Sequence, residues 1–325
     1  MNTSTLPLVS IVTPAYNEED YLSECVESVL AQTYPNWDYT IVDNCSTDGT
    51  LSIAQKYAAT DPRIRVIRNG SLIPALANFN LALRQIADTS KYCKMVLADD
   101  WIFPECLERM VEVMERYPSV GIVGAYGLVN PWILWTGLRY PSHRVSGREL
   151  CRQRLMGGPY VFGSPTSLLF RSDLVRSRNP FYDETNVHCD SETCFELLKN
   201  CDFGFVHQVL TFSRDDRPNS RLQDCRELNT AAAGVLHELI VYGPYYLSPG
   251  EYADCLEATV SKYYDFLAGS FLQRRHGEFW DYHRRRLKEE GVEFSRARLA
   301  RTVGRRILGR LFRLRSVRKE PYWGL

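Results

Sequence analysis

The sequence predicts an α/β fold, a doubly wound and mostly parallel Rossmann-like sheet with a C-terminal helical extension. Three observations predict it. Over the first 125 residues, short β-branched apolar runs alternate with stretches of helical periodicity. Acids follow the carboxyl ends of several of those runs. From Leu222 to the end the pattern is helical. Strands that alternate with helices lie parallel, because each crossover helix carries the chain back to the same edge.

Leu8–Thr13 reads as the first strand, and Tyr21–Gln32 places Leu22, Cys25, Val26, Val29 and Leu30 on one helical face. Tyr39–Asp43 is the second strand, followed by the turn-rich Asn44–Gly49 and a helix over Thr50–Ala59. A third strand and helix fall at Ile64–Ile67 and Ala75–Ala87, and a fourth strand at Met95–Ala98. Pro104 opens a helix to about Tyr117, and Val120–Ala125 is the fifth strand. Residues 130–180 read as irregular apart from a helix at Arg148–Met156 and a strand at Ser167–Arg171. A helix near Ser191–Asn200 and strands near Phe203–Val206 and Val209–Ser213 follow, then helices over roughly 222–242, 249–274, 277–290 and 296–318. The composition shift near 220 divides the chain into residues 1–220 and a helical region, 221–325.

The 325 residues carry 39 basic and 39 acidic side chains. That balance hides an asymmetry. Residues 295–319 hold nine Arg and one Lys with no acid, leaving 29 basic against 39 acidic side chains elsewhere, a net of −10. Leu299, Val303, Ile307, Leu311 and Leu314 recur at helical spacing within this arm. A cationic amphipathic helix suits an anionic membrane surface, a helix packed on an acidic body, or a solvated tail. Little aromatic interleaving argues against nucleic acid. No stretch reaches the ~18 apolar residues of a membrane span; the charge-free Pro118–Leu138 is interrupted by Gly, Asn130 and Pro131 and reads as a buried strand plus loop, with a re-entrant membrane segment as the alternative. With no secretory leader and no C-x-x-C among ten cysteines, reduced thiols and a cytoplasmic location are expected, on the inner face of the membrane if the arm binds there.

In such a sheet, ligands lie outside the carboxyl ends of the strands. Those ends carry Thr13-Pro14-Ala15-Tyr16-Asn17-Glu18-Glu19, then Asp43 with Asp48-Gly49, then Asp99-Asp100. No G-x-G-x-x-G or P-loop is present. Acids facing an anionic nucleotide need a divalent cation between them, and Mg²⁺ or Mn²⁺ suits oxygen ligands plus phosphates. Each acid also has an ordinary structural reading: Asp43 as a turn cap, Asp99-Asp100 as a strand-to-helix turn, Asp190 as a helix N-cap.

The run SIVTPAYNEEDYLSECVESVLAQTYPNWDYTIVDNCSTDGT, with LADDWIFP downstream, resembles the inverting family 2 glycosyltransferases, over about residues 8–215. The resemblance implies the GT-A fold and metal-dependent transfer from a nucleotide sugar, UDP-linked, to a hydroxyl of a glycan or lipid-linked acceptor, in polysaccharide or glycolipid synthesis. It implies that Thr13, Ala15 and Tyr16 line the nucleotide pocket, with Glu18 near the ribose or base and Asp43 reading a base N–H. Asp48 matches the S-T-D-G-T turn, and Asn78 falls where the family often has Ala-Arg-Asn; the Arg is absent here. Asp99 and Asp100 match the metal motif, with Leu97 replacing its first acid. Asp190 matches the general base, with Glu192 second, and Gly163-Ser164-Pro165-Thr166 the acceptor-side wall. His188 and His207 are weaker candidate ligands, and Arg214-Asp215-Asp216-Arg217 is either a phosphate-contacting lid or a solvated turn. A non-catalytic nucleotide-sugar-binding or assembly protein of the same fold is the alternative; a nucleotidyltransferase lacks its glycine-rich loop here.

Overall fold

In the computed structural model, residues 6–129, 131–214 and 227–316 are described, with side chains described to 309. The chain separates into two compact units, Met1–Asp216 and Arg217–Leu325. The boundary read near 220 lies outside the described residues.

The first unit is built on ten strands: β1 (Val9–Ala15), β2 (Trp37–Asp43), β3 (Ile64–Arg68), β4 (Tyr92–Met95), β5 (Trp101–Ile102), β6 (Val120–Val129), β7 (Trp132–Leu134), β8 (Arg144–Val145), β9 (Leu169–Arg171) and β10 (Asp202–Phe212). Their main path runs β3-β2-β1-β4-β9-β6-β10-β5, with β7 on β6 and β8 on β10. The pairs β3–β2, β2–β1, β1–β4 and β6–β10 are parallel. β9 runs antiparallel between β4 and β6. Seven helices accompany the sheet: α1 (Leu22–Leu30), α2 (Thr50–Thr60), α3 (Ala75–Leu83), α4 (Cys106–Arg116), α5 (Gly147–Leu155), α6 (Ser172–Arg176) and α7 (Cys189–Leu197). All seven residues of β1 are buried, as a central strand covered on both faces requires. The predicted face of α1 packs on it through Leu22, Cys25, Val26 and Val29.

β5, β7, β8 and α6 are elements the sequence does not predict, and three predicted elements have other bounds. β4 begins three residues upstream of Met95. Lys94 interrupts its apolar run, yet the side chain is buried, and Nζ donates to the Thr166 and Leu168 carbonyls at 2.7 and 3.3 Å. Burial holds that ammonium below the usual lysine range. α3 stops at Leu83, and the Ala87 N–H beyond it donates to Ser10 Oγ at 3.0 Å. The two expected strands at 203–213 are one strand, β10, with register shifts between Val206 and Thr211.

The second unit contains α8 (Ala231–Tyr246), α9 (Pro249–Leu272), α10 (Gly277–Glu289) and α11 (Arg296–Ser316). Ser248 and Glu251 form a capping box at the start of α9, with Pro249 in its first turn. Leu236, Tyr263, Leu267, Phe279 and Leu287 make its core. Within that core His283 accepts from Tyr263 Oη at 2.6 Å and donates through Nε2 to the Leu228 carbonyl at 2.8 Å, an assignment that follows because burial pushes its pKa down to about 4. The stripe on α11 is divided: Leu299 packs against this core while Ile307 and Leu308 are exposed. Leu311 and Leu314 lie outside the described side chains. Among the described residues no helix is long and apolar enough to cross a membrane, and every cysteine is free.

Candidate functional site

β1 and β2 end level, Ala15 opposite Asp43, so the loops that follow them meet at the carboxyl edge of the sheet. Hydrogen bonds lace the loops together, five of them from backbone N–H groups to side chains. Asn17 N donates to Ser46 Oγ (3.0 Å), Glu18 N to Thr50 Oγ1 (2.6 Å) and Glu19 N to Asp48 Oδ2 (3.2 Å). In return, Thr47 N donates to Asn17 Oδ1 (2.9 Å) and Gly49 N to Glu19 Oε2 (2.7 Å). Asn17 and Cys45 adopt left-handed backbone angles, φ 53° and 60°, which asparagine tolerates better than most residues. Tyr16 projects from this edge, 42% exposed.

The structure separates the predicted nucleotide residues into two groups. Tyr16 and Glu18 have surface at the edge, whereas Thr13, Ala15, Asp43 and Asn78 are buried. The Thr13 hydroxyl donates to the Val96 carbonyl at 2.7 Å and bonds Tyr39 Oη at 2.8 Å, so the side chain pins β1 to its neighbours. Asp43 accepts weakly from Ser46 N at 3.3 Å and lies 3.5 Å from Arg68 Nε. A carboxylate has about four acceptor sites, so these contacts leave capacity for a further donor such as a base N–H. Asp48 accepts from Thr50 N at 3.0 Å as well as from Glu19 N. Partial burial opposes ionisation, but these hydrogen bonds outweigh it and hold the carboxyl below its ordinary range. Asn78 joins a lattice of amides: Asn69 Nδ2 donates to Asn44 Oδ1 (2.8 Å) and Asn78 Oδ1 (3.0 Å).

Beyond β4, Asp99 and Asp100 form the acidic pair. Asp100 is 5% exposed and engages three donors: Thr166 Oγ1 at 2.5 Å, Ser213 Oγ at 3.2 Å and the Arg214 N–H at 3.0 Å. Burial, with the adjacent Asp99 charge, pushes its carboxyl up to about 7, and the hydrogen bonds only partly offset this. Thr166 is fully buried, donating to Asp100 and accepting from Leu97 N at 3.1 Å, so its side chain supports the acidic pair. Ser164 keeps some surface, and its hydroxyl lies 3.1 Å from both Ser167 Oγ and Ser213 Oγ.

Asp190 opens α7, and its Oδ1 accepts from Ser191 N at 2.8 Å. Burial raises its carboxyl above the usual range, against the opposing effects of that N–H and of His188. Tyr160 Oη bonds both Ser191 Oγ (3.0 Å) and the Gly163 carbonyl (2.9 Å), tying the start of α7 to the Gly163–Ser164 wall. Glu192, the second candidate base, accepts from Asn186 Nδ2 at 2.7 Å. His207 bonds Tyr126 Oη and the Ser142 carbonyl, both at 2.8 Å, which fits a structural role.

Sequence reasoning named Arg214 only within a charged run and missed Asn69. Arg214 donates from Nε to the Asp99 carbonyl (3.2 Å), pairs with Glu24 at 2.8 Å and stacks 4.5 Å from the Tyr21 ring centre. The charged 214–217 run was its only signal, and residues 215–217 lie outside the described residues. Asn69 has no motif at all.

Residues 10–178 match the family model described as glycosyl transferase family 2. The chain belongs to that family. It is 39% identical over 123 residues to TuaG of Bacillus subtilis (strain 168), named as a teichuronic acid biosynthesis glycosyltransferase, a match covering 38% of this chain. The chain spans about half the length of that relative, 48%. Among solved structures, S. aureus TarS 1-349 in complex with UDP-GlcNAc superposes with a TM-score of 0.63 at 18% identity, over 88% of this chain and 80% of that one. The mannosyltransferase PcManGT of Pyrobaculum calidifontis, in complex with GDP-Man and Mn²⁺, gives 0.54 at 14% identity, over 94% and 88%. These likenesses establish the GT-A fold.

Proposed function

We propose that this glycosyltransferase moves a hexosyl group from a UDP-sugar to a hydroxyl of a glycan or lipid-linked acceptor, with inversion, in polysaccharide or glycolipid synthesis. The observation that carries the reading is the gathering of the laced β1/β2 loops and the Asp99–Asp100 pair at the carboxyl edge, where an α/β sheet binds ligands. The UDP-GlcNAc complex of TarS supports the donor class.

In this reading Tyr16 stacks on the base and Glu18 meets the ribose. Asp43 closes the turn beneath them, and Asp48 and Asn78 hold the surrounding loops. The acceptor hydroxyl enters along Ser164. Asp190 takes its proton as the hydroxyl attacks the anomeric carbon from the face opposite the leaving diphosphate. A carboxyl raised by burial is a stronger base than an ordinary aspartate, which suits proton abstraction near neutral pH.

Mg²⁺ or Mn²⁺ fits the acidic pair. Burial first, and the neighbouring Asp99 charge second, raise Asp100 to about 7, and a cation would relieve the repulsion between the two carboxylates. Among the described residues no group of three His, Cys, Asp or Glu side chains could hold a metal, so substrate phosphates and water would complete the shell. Asp99 would be the main ligand, with Asp100 anchored behind it. A bound ion supplies neutralisation of charge on the departing diphosphate. The cationic 295–319 arm, through the exposed Ile307 and Leu308, is the proposed route to an anionic membrane.

A binding-only role has one observation in its favour: Leu97 replaces the first acid while Asp100 is already engaged. Turnover of a UDP-sugar panel with Mn²⁺, wild type against Asp190→Asn, separates the two. The expected loss is about 10²- to 10⁴-fold with UDP affinity retained. Unchanged turnover would remove Asp190 as base, and UDP binding without turnover of any donor would favour the binding protein.

A further inference from the structure

The hairpin formed by β6 and β7 exposes apolar surface in a way that a solvated edge does not. β7 pairs only with β6, Trp132 opposite Val129 and Leu134 opposite Gly127. Successive side chains of a strand point to opposite faces. Yet Trp132, Ile133 and Leu134 are 69%, 53% and 39% exposed, so both faces of β7 keep exposed apolar surface. Edge strands are ordinarily blunted by charge or proline to prevent pairing with other chains. Here the three edge positions are all apolar.

The root of the hairpin is fixed. Trp135 adopts φ 61° and its ring occupies the space that a Cβ on Gly127 would fill, within 1.7 Å of that position. The same ring lies 3.3 Å from where a Cβ on Gly163 would sit, beside Ser164. In W-I-L-W, then, the last aromatic is an internal anchor at the acceptor-side wall and the first points outward. Arg139 and Tyr140 follow, both exposed. From Pro118 to Arg148 there is no acid and there are three arginines, on a chain that is net acidic outside its C-terminal arm. An outward tryptophan with aliphatic neighbours, flanked by cations and free of acids, is the chemistry of an anionic bilayer interface.

We propose that the β6–β7 hairpin inserts into the interfacial region of an anionic membrane. A consequence, which rests on the function proposed above, is that the bilayer presents a lipid-linked acceptor to the Ser164 side of the site. The hairpin would act as a contact additional to the C-terminal arm.

The test uses the full chain with phosphatidylcholine vesicles, with and without phosphatidylglycerol, and no nucleotide. Replacing Trp132, Ile133 and Leu134 together by Ser is expected to weaken partitioning onto the anionic vesicles about tenfold or more. The melting temperature should fall by no more than a few degrees, because Trp132 and Ile133 are more than half exposed and only Leu134 is mostly covered. Trp132→Phe is expected to keep partitioning within about twofold while removing a large part of the tryptophan quenching by brominated lipid. Equal partitioning of wild type and the triple variant would overturn the proposal, as would quenching unchanged in Trp132→Phe. A wild-type dimer that the triple variant converts to monomer would assign the surface to a second copy instead. Since no donor is present, a chain that turns over no nucleotide sugar can still pass, so this failure and that of the enzymatic reading are distinguishable.

Discussion

The two halves of the candidate site are assembled differently. The nucleotide half is laced between loops about 30 residues apart, mostly through backbone N–H groups, and each bond is one of several doing the same task. The acidic half converges on one carboxylate. Asp100 gathers Thr166, Ser213 and Arg214 from 66, 113 and 114 residues away. Redundant bonds tolerate single losses, whereas a buried group with few partners does not. The acidic half should therefore be the brittle one.

Thr166→Val tests this most severely. Valine keeps the shape but removes the donor to Asp100 and the acceptor for Leu97 N, both in buried surroundings. Leaving Leu97 N unpaired costs about 1–3 kcal/mol, Asp100 keeps Ser213 and Arg214 but loses its shortest donor, and the expected outcome is a melting temperature several degrees lower together with reduced transfer. Loss of activity with an unchanged melting temperature would mean that Thr166 faces substrate after all.

Asp100→Asn sharpens the comparison through pH. The Asp100 carboxyl is raised to about 7, above the ~3.9 of an unfolded aspartate. Between these values the folded state holds a proton that the unfolded state has lost, so Asp100 makes wild-type stability fall as pH rises from about 4 to 7. Asparagine has no such term. Melting curves should show the variant gaining on wild type across that range, and added Mn²⁺ should narrow the gap if the ion binds at Asp99. A gap independent of pH would mean that Asp100 is ionised throughout.

The same contrast decides what was legible in the sequence. The nucleotide half lies mostly within residues 9–50, so its loops, helix starts and acids could be placed from contiguous signals. The partners of Asp100 could not, since no local pattern links Thr166 or Ser213 to a turn at residue 100. Lys94 hid the true start of β4 because a lysine in an apolar run reads as a break, and only its distant carbonyl partners make burial tolerable. Thr13 sits in a strand buried on both faces, which has no alternation to show which side chains point toward a ligand.

Gly49→Ala probes the robust half and should have the smallest effect. Gly49 has φ −71° at the start of α2, a conformation open to alanine, so the substitution meets no backbone strain. Its new Cβ would lie 2.8 Å from Glu19 Oε2, the far end of a flexible side chain. Glu19 can swing aside, giving up its bond to Gly49 N, while the bonds from Asn17, Glu18, Glu19 and Thr47 hold the loops in register. The expected change in unfolding free energy is under about 1 kcal/mol, read from denaturant midpoints, with UDP affinity close to wild type. A loss as large as that of Thr166→Val would show that the lacing acts as a single cooperative unit, and the contrast between a redundant and a convergent half would fall.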